Sequence, residues 1–592
     1  MSSSTTKKVK TKGEYCCDFE TTSKNQYLKE GLTRVYLFRL VDLKTGLDIK
    51  QGTNMSEFIN YIENDKKIEK VYFHNLSFDG CFIIDYLLRN GYKYVNDKEQ
   101  ISKEECNSFY SIIDESGSIY EIDIYFSKVN KKVKINCSYK LTGLSIEDLG
   151  KLVGVTKLKE THDYTEFKNY NSISEVTEEE LNYIKNDVEI MRLGILKCYE
   201  MGIRGLTKSS ACYKMWKHME WNKICKDVHT DYPAEIKHIV DASYRGGITM
   251  INKRFKGKLL GACRNYDVNS LYPSVMYNDM PIGEYVSAKN DNDIPNNYNI
   301  RLYEVSVFNA KVLKGFIPFI PTSKSFIFKD SYQYTNEIKN MTLYLWDCEY
   351  ELFKMFYEGT YKVVNIVAWR SKKDLFKDYI DKFKKIKEEA PNPSPERTFA
   401  KLCMNSLYGK FAQTSDRVSK RPMLLGNGVV YYERFISDLK SNYDRKIASR
   451  ITSLARCVLI KAIESEPSRF IYCDTDSIYC LGDYELKGIP IDSKKLGYWK
   501  YEYSYSKFKG LKAKCYIATI SNEGEEKGAL HSAVAGLSKE CQKQLNYDNF
   551  KEGLTIEGAK KQVKRVKGGM IIDTIPFTIK VEKQGVITSG KE

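Results

Sequence analysis

The sequence predicts a multidomain protein of mixed α/β and α+β architecture. At 592 residues the chain is too long for a single hydrophobic core, and at about 150 residues per domain it suggests about four domains. Roughly the first 200 residues alternate strand-like and helix-like runs, which is typical of an α/β domain. Hydrophobic residues make up 42% of the chain, which excludes a disordered or collagen-like protein.

In the first part of the chain, residue patterns predict two strands and two helices. Residues 14–20 are a short apolar run that ends in acids, and residues 70–74 form a second strand. A helix is predicted over residues 78–88. Thr177 and Glu180 form a capping box, which opens a helix that runs to about residue 200.

The later part of the chain contains two segments that look like insertions. The stretch from about 280 to 370 looks irregular and carries Pro281, Pro295, Pro318 and Pro321. A polar segment at about 412–447 follows a helix and precedes more apolar strands. The basic tail, from about residue 545, contains a Lys-Gly-Gly-Met sequence at 567–570 that predicts a hairpin turn.

Composition leaves two interpretations open. The formal charge is +16, and the chain has 45 Tyr beside 26 Phe and 5 Trp. A basic, tyrosine-rich surface suits nucleic acid, whose bases stack on aromatic rings, but an AT-rich genome also favours Lys and Tyr. Residues 1–200 hold 29 basic and 32 acidic residues, so the whole basic surplus lies in residues 201–592.

Several classes of protein are excluded. Residues 1–13 are polar and lysine-rich, unlike a secretory signal, and no uncharged apolar stretch approaches the roughly 18 residues of a membrane span. The 16 Cys include no CxxC pair, which argues for reduced thiols in a cytosol-like compartment. With only six His, carboxylates are the better candidates for metal or acid–base chemistry.

A first group of acids is predicted in residues 1–200. Asp18 and Glu20 alternate along a strand and so point to the same face, and Asp79 follows the second strand. Tyr183 and Asp187 are four residues apart on the capped helix, so they share a face. Each piece alone is an ordinary surface pattern. Together, the four carboxylates could hold two Mg²⁺ ions for phosphodiester hydrolysis.

A second group of acids lies downstream. Asp267 stands where a strand gives way to a helix that Ser270 could cap, and the exposed amides of that helix suit a triphosphate. Asp474 and Asp476 flank Thr475 in a turn between two apolar strands. Such a turn crowds like charges with no local cation, so a bound metal would relieve the repulsion. An ordinary Asx-rich turn remains the alternative.

Between these acids lies a helix with a polar and basic stripe. Ser394 caps it with Pro395 in the first helical position. Arg397, Lys401, Asn405 and Tyr408 follow at helical spacing. The preceding helix is crowded with lysines, most of which a solvated face explains. Lys401 is different, because cations on its face could hold triphosphate oxygens while Tyr408 packs on the incoming base.

These motifs, in this order, resemble two known sets. The DxE, NxxFD and YxxxD patterns of the first acid group resemble the three motifs of DnaQ-like 3′–5′ proofreading exonucleases. The DxxSLYP, KxxxNSxYG and DTDS patterns resemble family B DNA polymerases, in particular the protein-primed branch. Further matches are YxGG at 244–247, a Tx2GR-like motif at 452–456 with Ala455 in place of Gly, KLGYW at 495–499 and KxY at 514–516.

The resemblance implies a ribonuclease-H-like (DnaQ-like) exonuclease domain followed by a right-hand polymerase with two insertions. The implied boundaries are 1–205 for the exonuclease, 206–278 and 448–545 for the palm, 279–374 and 412–447 for two terminal-protein regions, 375–411 for the fingers and 546–592 for the thumb.

In the polymerase part the resemblance also implies residue roles. Asp267, Asp476 and the carbonyl of Val268 would ligate two metal ions, Asp474 would be an accessory acid, and Tyr272 would exclude ribonucleotides at the 2′ position. Positions implied to contact the dNTP are Lys382, Lys387, Arg397, Lys401 and Tyr408. Positions implied to bind DNA are Tyr244, Gly246, Gly247, Thr452, Arg456, Lys514 and Tyr516.

In the exonuclease part the implied metal ligands are Asp18, Glu20, Asp79 and Asp187, with Tyr183 orienting the water. Positions implied to bind the frayed single strand are Thr21, His74, Asn75, Phe78 and Ser138. Two departures stand out. Tyr139 stands after Ser138, where the family has an aliphatic residue. In the Kx2h motif the best-placed lysine is Lys159, but the third residue after it is His162 and not an aliphatic residue. Lys157 and Lys159 therefore both remain candidates for the auxiliary lysine.

The resemblance implies a monomeric DNA polymerase that replicates a linear viral genome in the host cytoplasm, away from membranes. It would use two Mg²⁺ ions per site, with Mn²⁺ able to substitute, and dNTPs as substrates. It would bind primer–template DNA and single strands, take a terminal protein as primer, displace a strand and proofread. A catalytically degenerate scaffold that binds DNA or terminal protein is the alternative, but intact metal-ligand positions argue against it. A nuclease alone leaves two-thirds of the chain unexplained.

Overall fold

The computed structural model describes residues 13–22, 33–159, 168–224, 231–324, 332–413, 416–438, 445–522 and 524–580. Within these ranges, no helix is both long enough and apolar enough to cross a membrane. Helices and strands are numbered here in chain order. They form three multistranded sheets, three two-stranded ribbons and the helices packed against them.

The first part of the chain is built on an eight-stranded sheet. Its strands are β1 (Glu14–Thr21), β2 (Val35–Asp42), β3 (Asp48–Gly52), β4 (Lys70–Phe73), β5 (Lys93–Tyr94), β6 (Ser108–Ile113), β7 (Ile119–Phe126) and β8 (Lys131–Cys137). Its helices are α1 (Met55–Asn64), α2 (Asp79–Arg89), α3 (Ser138–Thr142), α4 (Ile146–Val153) and α5 (Glu178–Glu200). The strand order is β3-β2-β1-β4-β8-β7-β6-β5, with β1, β4 and β8 parallel.

All four elements predicted in this part are confirmed, and one placement changes. The capping box is present, because Thr177 and Glu180 each bond the other's backbone N–H at the start of α5. Asp79 is the first residue of α2 and does not stand on the end of β4.

Two helices and the first strands of a second sheet come next. They are α6 (Lys208–Ile224), α7 (Ala234–Ser243), β9 (Thr249–Ile251), β10 (Cys263–Val268) and α8 (Leu271–Val275).

The described residues of the 279–374 segment are mainly in strands and one helix, so the prediction of an irregular stretch is wrong. They form β11 (Met280–Ala288), β12 (Ile300–Val312), β13 (Pro321–Lys324), β14 (Tyr332–Tyr334), β15 (Glu337–Trp346), α9 (Asp347–Phe356) and β16 (Tyr357–Lys372). Four of the strands make an antiparallel sheet in the order β11-β16-β12-β15. Pro281 is tolerated because β11 is an edge strand, where a missing N–H removes no bond that the sheet needs.

The next segment is a helix pair followed by a ribbon and a long helix. The elements are α10 (Lys377–Glu389), α11 (Pro395–Phe411), β17 (Asp416–Leu424), β18 (Val430–Asp438) and α12 (Arg445–Ser465). The serine cap of α11 is confirmed, with the Ser394 hydroxyl accepting from the Arg397 amide at 3.2 Å. The polar segment is followed by a helix and not by the strands we expected. Helix α12 packs against α7, α8, α9 and α11 and is buried on most of its faces, although many of its buried side chains are polar.

The chain ends with the rest of the second sheet and a hairpin. The elements are β19 (Phe470–Asp474), β20 (Ser477–Leu481), β21 (Trp499–Lys512), β22 (Cys515–Ile520), β23 (Leu530–Val534), α13 (Lys539–Gln542), β24 (Thr555–Val566) and β25 (Gly569–Thr578). The seven-stranded sheet has the order β23-β22-β21-β10-β20-β19-β9. The predicted turn at residues 567–570 is confirmed as the tip of the β24–β25 hairpin.

That hairpin packs on the first part of the chain. Met570 lies in the same buried cluster as Phe82 of α2, and the Gly568 amide donates to the Asp85 carboxylate at 3.2 Å. Gly568 has φ of +92°, and a Cβ there would lie 2.2 Å from the Thr33 carbonyl oxygen. The close approach therefore requires glycine at this position.

Candidate active sites

The first acidic site consists of Asp18 and Glu20 on β1, Asp79 at the start of α2 and Asp187 on α5. Burial, followed by the charge of Asp187, raises the pKa of Asp18 to about 8. Burial also raises the pKa of Asp79, with Asp18 and then Glu20 adding to the effect. The charges of neighbouring carboxylates thus raise these pKa values, because the sheet and the two helices bring all four acids into one region. An all-oxygen group of this kind suits a hard divalent cation.

A lysine and a tyrosine complete the first acidic site. Lys157 Nζ lies 2.6 Å from Asp187 Oδ1 and 3.7 Å from the centroid of the Tyr183 ring. Tyr183 and Asp187 therefore share a face of α5, as their spacing predicted. Lys159 is exposed and no described contact joins it to these acids, while His162 lies outside the described residues. Of the two candidate lysines, the structure places Lys157 at the site.

The predicted single-strand positions divide into buried and accessible residues. Ser138 is fully buried, with its hydroxyl 2.9 Å from His74 Nδ1 and donating to the Phe73 carbonyl at 3.1 Å. Burial lowers the pKa of His74 to about 4, so the ring is neutral at pH 7. Thr21 is also buried. With both side chains buried in this conformation, strand binding by Thr21 and Ser138 stays a prediction.

The accessible positions near the first acidic site are the aromatic residues Tyr139 and Phe78 and the left-handed residue Asn75. Tyr139 is 42% exposed and meets the His74 ring edge-to-face at 5.7 Å. Asn75 has φ of +58°, and Phe78 packs against Phe82 at 5.6 Å. The aromatic that replaces the expected aliphatic residue is thus the one that presents a ring to solvent.

The second acidic site consists of Asp267, Asp474 and Asp476. Asp267 is near the end of β10, and Asp476 lies in the β19–β20 turn. The Val268 amide donates to the Asp476 carbonyl at 2.8 Å, which holds the two segments together. Burial, followed by the charge of Asp476, raises the pKa of Asp267 to about 7, while Lys401 opposes the shift. Burial also raises the pKa of Asp476, again opposed by Lys401. Lys401 of α11 is therefore close enough to act on both carboxylates.

Asp474 differs from the other two because it has a local cation. Lys514 Nζ lies 2.9 and 3.0 Å from its two carboxylate oxygens, and the Thr249 hydroxyl donates to it at 2.8 Å. The expectation of a turn without a local cation is therefore wrong. The case for metal binding rests on the Asp267 and Asp476 pair.

The donor set of that pair fits a divalent cation. Within the described residues, no group of three or more His, Cys, Asp and Glu side chains is arranged as a metal cage. Mg²⁺ does not require one, since it commonly binds one or two carboxylates and completes its shell with water and substrate phosphates. Two half-buried carboxylates that repel each other, as Asp267 and Asp476 do, gain from such a cation.

Two tyrosines and a glycine lie against the second acidic site. The rings of Tyr272 and Tyr408 are stacked with centroids 4.5 Å apart. A Cβ on Gly247 would lie 2.8 Å from Thr475 Cγ2 and 3.1 Å from the Tyr272 hydroxyl. The predicted sugar-facing and base-facing tyrosines therefore touch each other, and the 244–247 segment borders the acidic turn. Gly246 faces open space.

Of the cations predicted to contact a triphosphate, three are grouped with Asp267. Lys387 Nζ donates to the Ser270 hydroxyl at 3.0 Å, and the Arg397 guanidinium donates to the Lys387 carbonyl at 2.7 Å. Burial, followed by repulsion from Arg397 and Lys401, lowers the pKa of Lys387 to about 8. Ser270 has φ of +53°, and its side chain accepts from Lys387 instead of capping α8, which corrects that expectation.

Lys382 is not grouped with these cations. Its ammonium lies 3.4 Å from Met215 Sδ, and no described contact joins it to Asp267 or Asp476. Lys382 and Lys387 are five residues apart on α10, which is about 140° around a helix axis. They therefore cannot face the same site.

Thr452 and Arg456, two of the positions predicted to contact DNA, are buried. Arg456 is 4% exposed, and its guanidinium donates to Glu349 at 2.8 Å and to the carbonyls of Arg245 and Gly246 at 2.6 and 3.1 Å. Its role in this conformation is to hold the 244–247 segment. Sequence reasoning missed Glu349, because its partners come from segments more than 100 residues away and leave no local signal.

An open cavity of about 630 Å³ adjoins the second acidic site and is lined by Asp474, Asp476, Lys514 and Tyr516. The Tyr516 hydroxyl is 2.6 Å from that of Tyr479 in a cluster of buried aromatic rings beneath the cavity. The 495–499 segment also reaches this sheet, since the Asn269 amide donates to the Tyr498 carbonyl at 2.9 Å.

Comparison with known proteins identifies the class. A family model for DNA polymerase type B, organellar and viral, matches residues 61–502. The DNA polymerase of Bacillus phage phi29 is 32% identical over 588 residues, covering 96% of this chain and 99% of the relative, and that of Bacillus phage M2 is 31% identical over 592 residues with the same coverage. The solved structure of phi29 DNA polymerase complexed with primer-template DNA and incoming nucleotide substrates has a TM-score of 0.86 at 30% identity, covering 96% of this chain and 100% of that chain.

The fold and the acidic sites therefore define a DNA polymerase. More particularly, the chain belongs to the organellar and viral type B DNA polymerases and is similar to those of phi29-like Bacillus phages. The predicted multidomain α/β fold is confirmed at this level.

Proposed function

We propose that the protein is a protein-primed, DNA-directed DNA polymerase that replicates a linear viral genome in the host cytoplasm. It combines synthesis with strand displacement and 3′–5′ proofreading. The observation that carries this proposal is the pair of half-buried carboxylates, Asp267 and Asp476, within electrostatic reach of Lys401. Solved phi29 polymerase complexes with primer-template and with single-stranded DNA support DNA in both forms as a partner.

The proposal assigns residues 1–205 to a ribonuclease-H-like exonuclease domain and the seven-stranded sheet to the palm. The α10–α11 pair would be the fingers and the β24–β25 hairpin the thumb. The β11-β16-β12-β15 sheet and the β17–β18 ribbon would be the two terminal-protein regions. Each assignment agrees with the position of a separate sheet, ribbon or helix pair along the chain.

For synthesis, Asp267, Asp476 and the Val268 carbonyl would hold two divalent cations, Mg²⁺ or Mn²⁺. When bound, such ions activate the primer 3′ oxygen and neutralise charge on the phosphates. Lys401, Lys387 and Arg397 would bind the oxygens of the dNTP triphosphate. Tyr408 would pack on the nascent base pair. Tyr272, whose ring stacks on the ring of Tyr408, would close the space at the 2′ position of the sugar. Lys514, bound to Asp474, would lie beside the primer end.

For excision, Asp18, Glu20, Asp79 and Asp187 would hold the second pair of cations. Tyr183, with Lys157 over its ring, would orient the attacking water. Tyr139, His74, Asn75 and Phe78 would receive the frayed strand by stacking. The two acidic sites lie on different sheets, so each activity should be separable from the other.

The test is a double dissociation. Asp267→Ala or Asp476→Ala should abolish dNTP incorporation on a primed template and leave degradation of a single strand largely intact. Asp18→Ala with Glu20→Ala should have the reverse effect. Asp378→Ala, an exposed acid on α10, is the matched control and should change neither activity. If both activities fall together in a variant that folds normally, the two-site proposal is wrong.

Priming is tested separately. The protein, Mg²⁺ or Mn²⁺, a labelled dNTP and the candidate terminal protein are incubated, and a nucleotide covalently attached to a protein hydroxyl is sought. Extension of DNA primers without such a product would restrict the protein to ordinary primed synthesis.

A further inference from the structure

A second open cavity, of about 620 Å³, shares none of its described lining residues with either acidic site. Its basic lining comes from three separate elements: Arg204 follows α5, Lys214 and His218 lie on α6, and Lys382 lies on α10. The rest of the described lining is apolar or glycine, including Met215 and Met219, and no carboxylate is among these described residues. The cavity is therefore a concentrated patch of positive charge, in a chain whose surface lysines are often paired.

Lys382, one of the lysines of this cavity, has no carboxylate among its described hydrogen-bond partners. On α10, Lys377, Lys384 and Lys385 each pair with a carboxylate four residues later. The residue four positions after Lys382 is Ile386, and the one described acceptor of its ammonium is the Met215 thioether sulfur at 3.4 Å. A thioether is a weak acceptor. Burial lowers the pKa of Lys382, as expected for a half-buried cation without a carboxylate partner.

The other basic side chains are arranged to meet a ligand along one surface. Lys214 and His218 are four residues apart, so they lie on one face of α6 about 6 Å apart along its axis. Lys214 is exposed and has no described carboxylate partner. Arg204 lies over the Tyr199 ring with Cζ 4.0 Å from its centroid, which fixes the position of the guanidinium at the cavity. Several cations in a row suit a ligand with several phosphates better than a single small anion.

The position of the cavity indicates which polyphosphate fits. Helix α6 packs against α3 in the first part of the chain and against α10 and α11, which carry Lys387 and Lys401. The cavity therefore lies between the parts that carry the two acidic sites. Its described lining residues include no Tyr, Phe or Trp ring that would hold the base of a free nucleotide, so this lining is suited to contacts with a sugar–phosphate backbone.

We infer that the cavity formed by Arg204, Lys214, His218 and Lys382 binds the phosphates of a single-stranded nucleic acid, at a subsite separate from both acidic sites. The choice of a nucleic-acid strand as the occupant rests on the proposed polymerase function. The anion preference itself rests on the cations and on the absence of a carboxylate among the described lining residues.

The test compares two double variants with the same loss of charge. Lys214→Gln with Lys382→Met removes two cavity cations, and methionine suits a site already lined by thioethers. Lys384→Gln with Lys385→Gln removes two exposed lysines from α10 outside the cavity. Affinity for fluorescein-labelled (dT)20 is measured by anisotropy from about 50 to 200 mM salt, where phosphate contacts dominate the salt dependence. The cavity variant should lower the slope of log K against log salt by about 1.4, or about 0.7 per lost contact, and the control should not.

A second measurement uses the wild-type chain, so that it does not depend on the folding of a variant. Acylation of Lys214 and Lys382 by an amine-reactive acetyl ester is followed by mass spectrometry, alone, with (dT)20 and with inorganic phosphate. Protection by (dT)20 but not by inorganic phosphate is the expected result. An unchanged salt slope in the cavity variant, an equal change in the control, or equal protection by inorganic phosphate would each overturn the inference.

Failure of this inference can be distinguished from failure of the proposed function. Primer extension by the wild-type chain tests the polymerase proposal and does not involve lysine protection. If extension occurs and the two lysines remain reactive in the presence of (dT)20, only the cavity inference is wrong. If the lysines are protected and no extension occurs, the cavity inference stands and the polymerase proposal is wrong.

Discussion

Gly247 provides the sharpest test of how the second acidic site is built, because the neighbouring Gly246 is a natural control. A Cβ on Gly247 would lie 2.8 Å from Thr475 Cγ2, 3.0 Å from Thr475 Oγ1 and 3.1 Å from the Tyr272 hydroxyl. Carbon atoms prefer separations of about 3.5–4.0 Å, so Gly247→Ala forces a displacement of about 0.7–1.2 Å. Gly246→Ala meets nothing within 4 Å.

The displacement has a direct route to the reacting groups, since Thr475 stands between Asp474 and Asp476 and Tyr272 stacks on Tyr408. Overpacking of this kind costs about 1–3 kcal/mol, and a misplacement approaching 1 Å can reduce a rate by about 100-fold. We expect Gly247→Ala to lower kcat/KM for dNTP incorporation by about 10- to 100-fold. Degradation of a single strand, which uses the first acidic site, should change little.

The assay is steady-state incorporation on a primer–template, with single-strand degradation measured in parallel. Gly246→Ala should lose at most a few-fold in incorporation. Thr475→Ser removes the Cγ2 methyl that makes the closest contact, so it should restore part of the incorporation lost in Gly247→Ala. The reasoning is refuted if the two glycine variants behave alike, or if Thr475→Ser has no effect in the Gly247→Ala background.

Two further predictions concern the first part of the chain. Lys157→Met should reduce the rate of single-strand degradation by about 10-fold or more, because it removes a charge-assisted contact with Asp187 worth about 1.5–3 kcal/mol. Lys159→Met should leave that rate unchanged. Equal effects of the two variants on the rate would contradict the assignment of Lys157. Gly568→Ala should displace the β24–β25 hairpin from the first part of the chain, because its Cβ would lie 2.2 Å from the Thr33 carbonyl oxygen, and residues 555–578 should then exchange amide hydrogens faster by mass spectrometry. Gly558→Ala is the control, because Gly558 also has a positive φ, +64°, but its Cβ would meet only the Thr574 hydroxyl oxygen at 3.8 Å. Similar exchange rates in the two variants would mean that backbone strain alone, and not the contact with Thr33, causes the effect.

Local patterns predicted the elements that carry the acids. The alternation of β1, the capping box of α5, the serine cap of α11 and the strands around the Asp-Thr-Asp turn all depend on residues within a few positions of one another. Such signals are complete in the sequence. The order of the motifs was also sufficient to identify the family, which the comparisons confirm.

Patterns failed where the deciding contact comes from far along the chain. The 279–374 segment looked irregular because its long strands pair across the segment, and pairing partners are not visible in local periodicity. The tyrosine content suggested a stacking surface, yet Tyr472, Tyr479, Tyr505 and Tyr516 are packed in a buried cluster. No local pattern predicted that Arg456 binds Glu349, which lies 107 residues away.

The sequence by itself thus determined the class of polymerase and which carboxylates to examine, because these depend on residue identity and short spacing. Only the tertiary structure decided which cations accompany them. It placed Lys157 and not Lys159 on Asp187, Lys514 on Asp474, and Lys387 but not Lys382 with Asp267. A lysine's partner depends on which helix face it occupies and which distant strand packs there, and neither is encoded in the residues next to it.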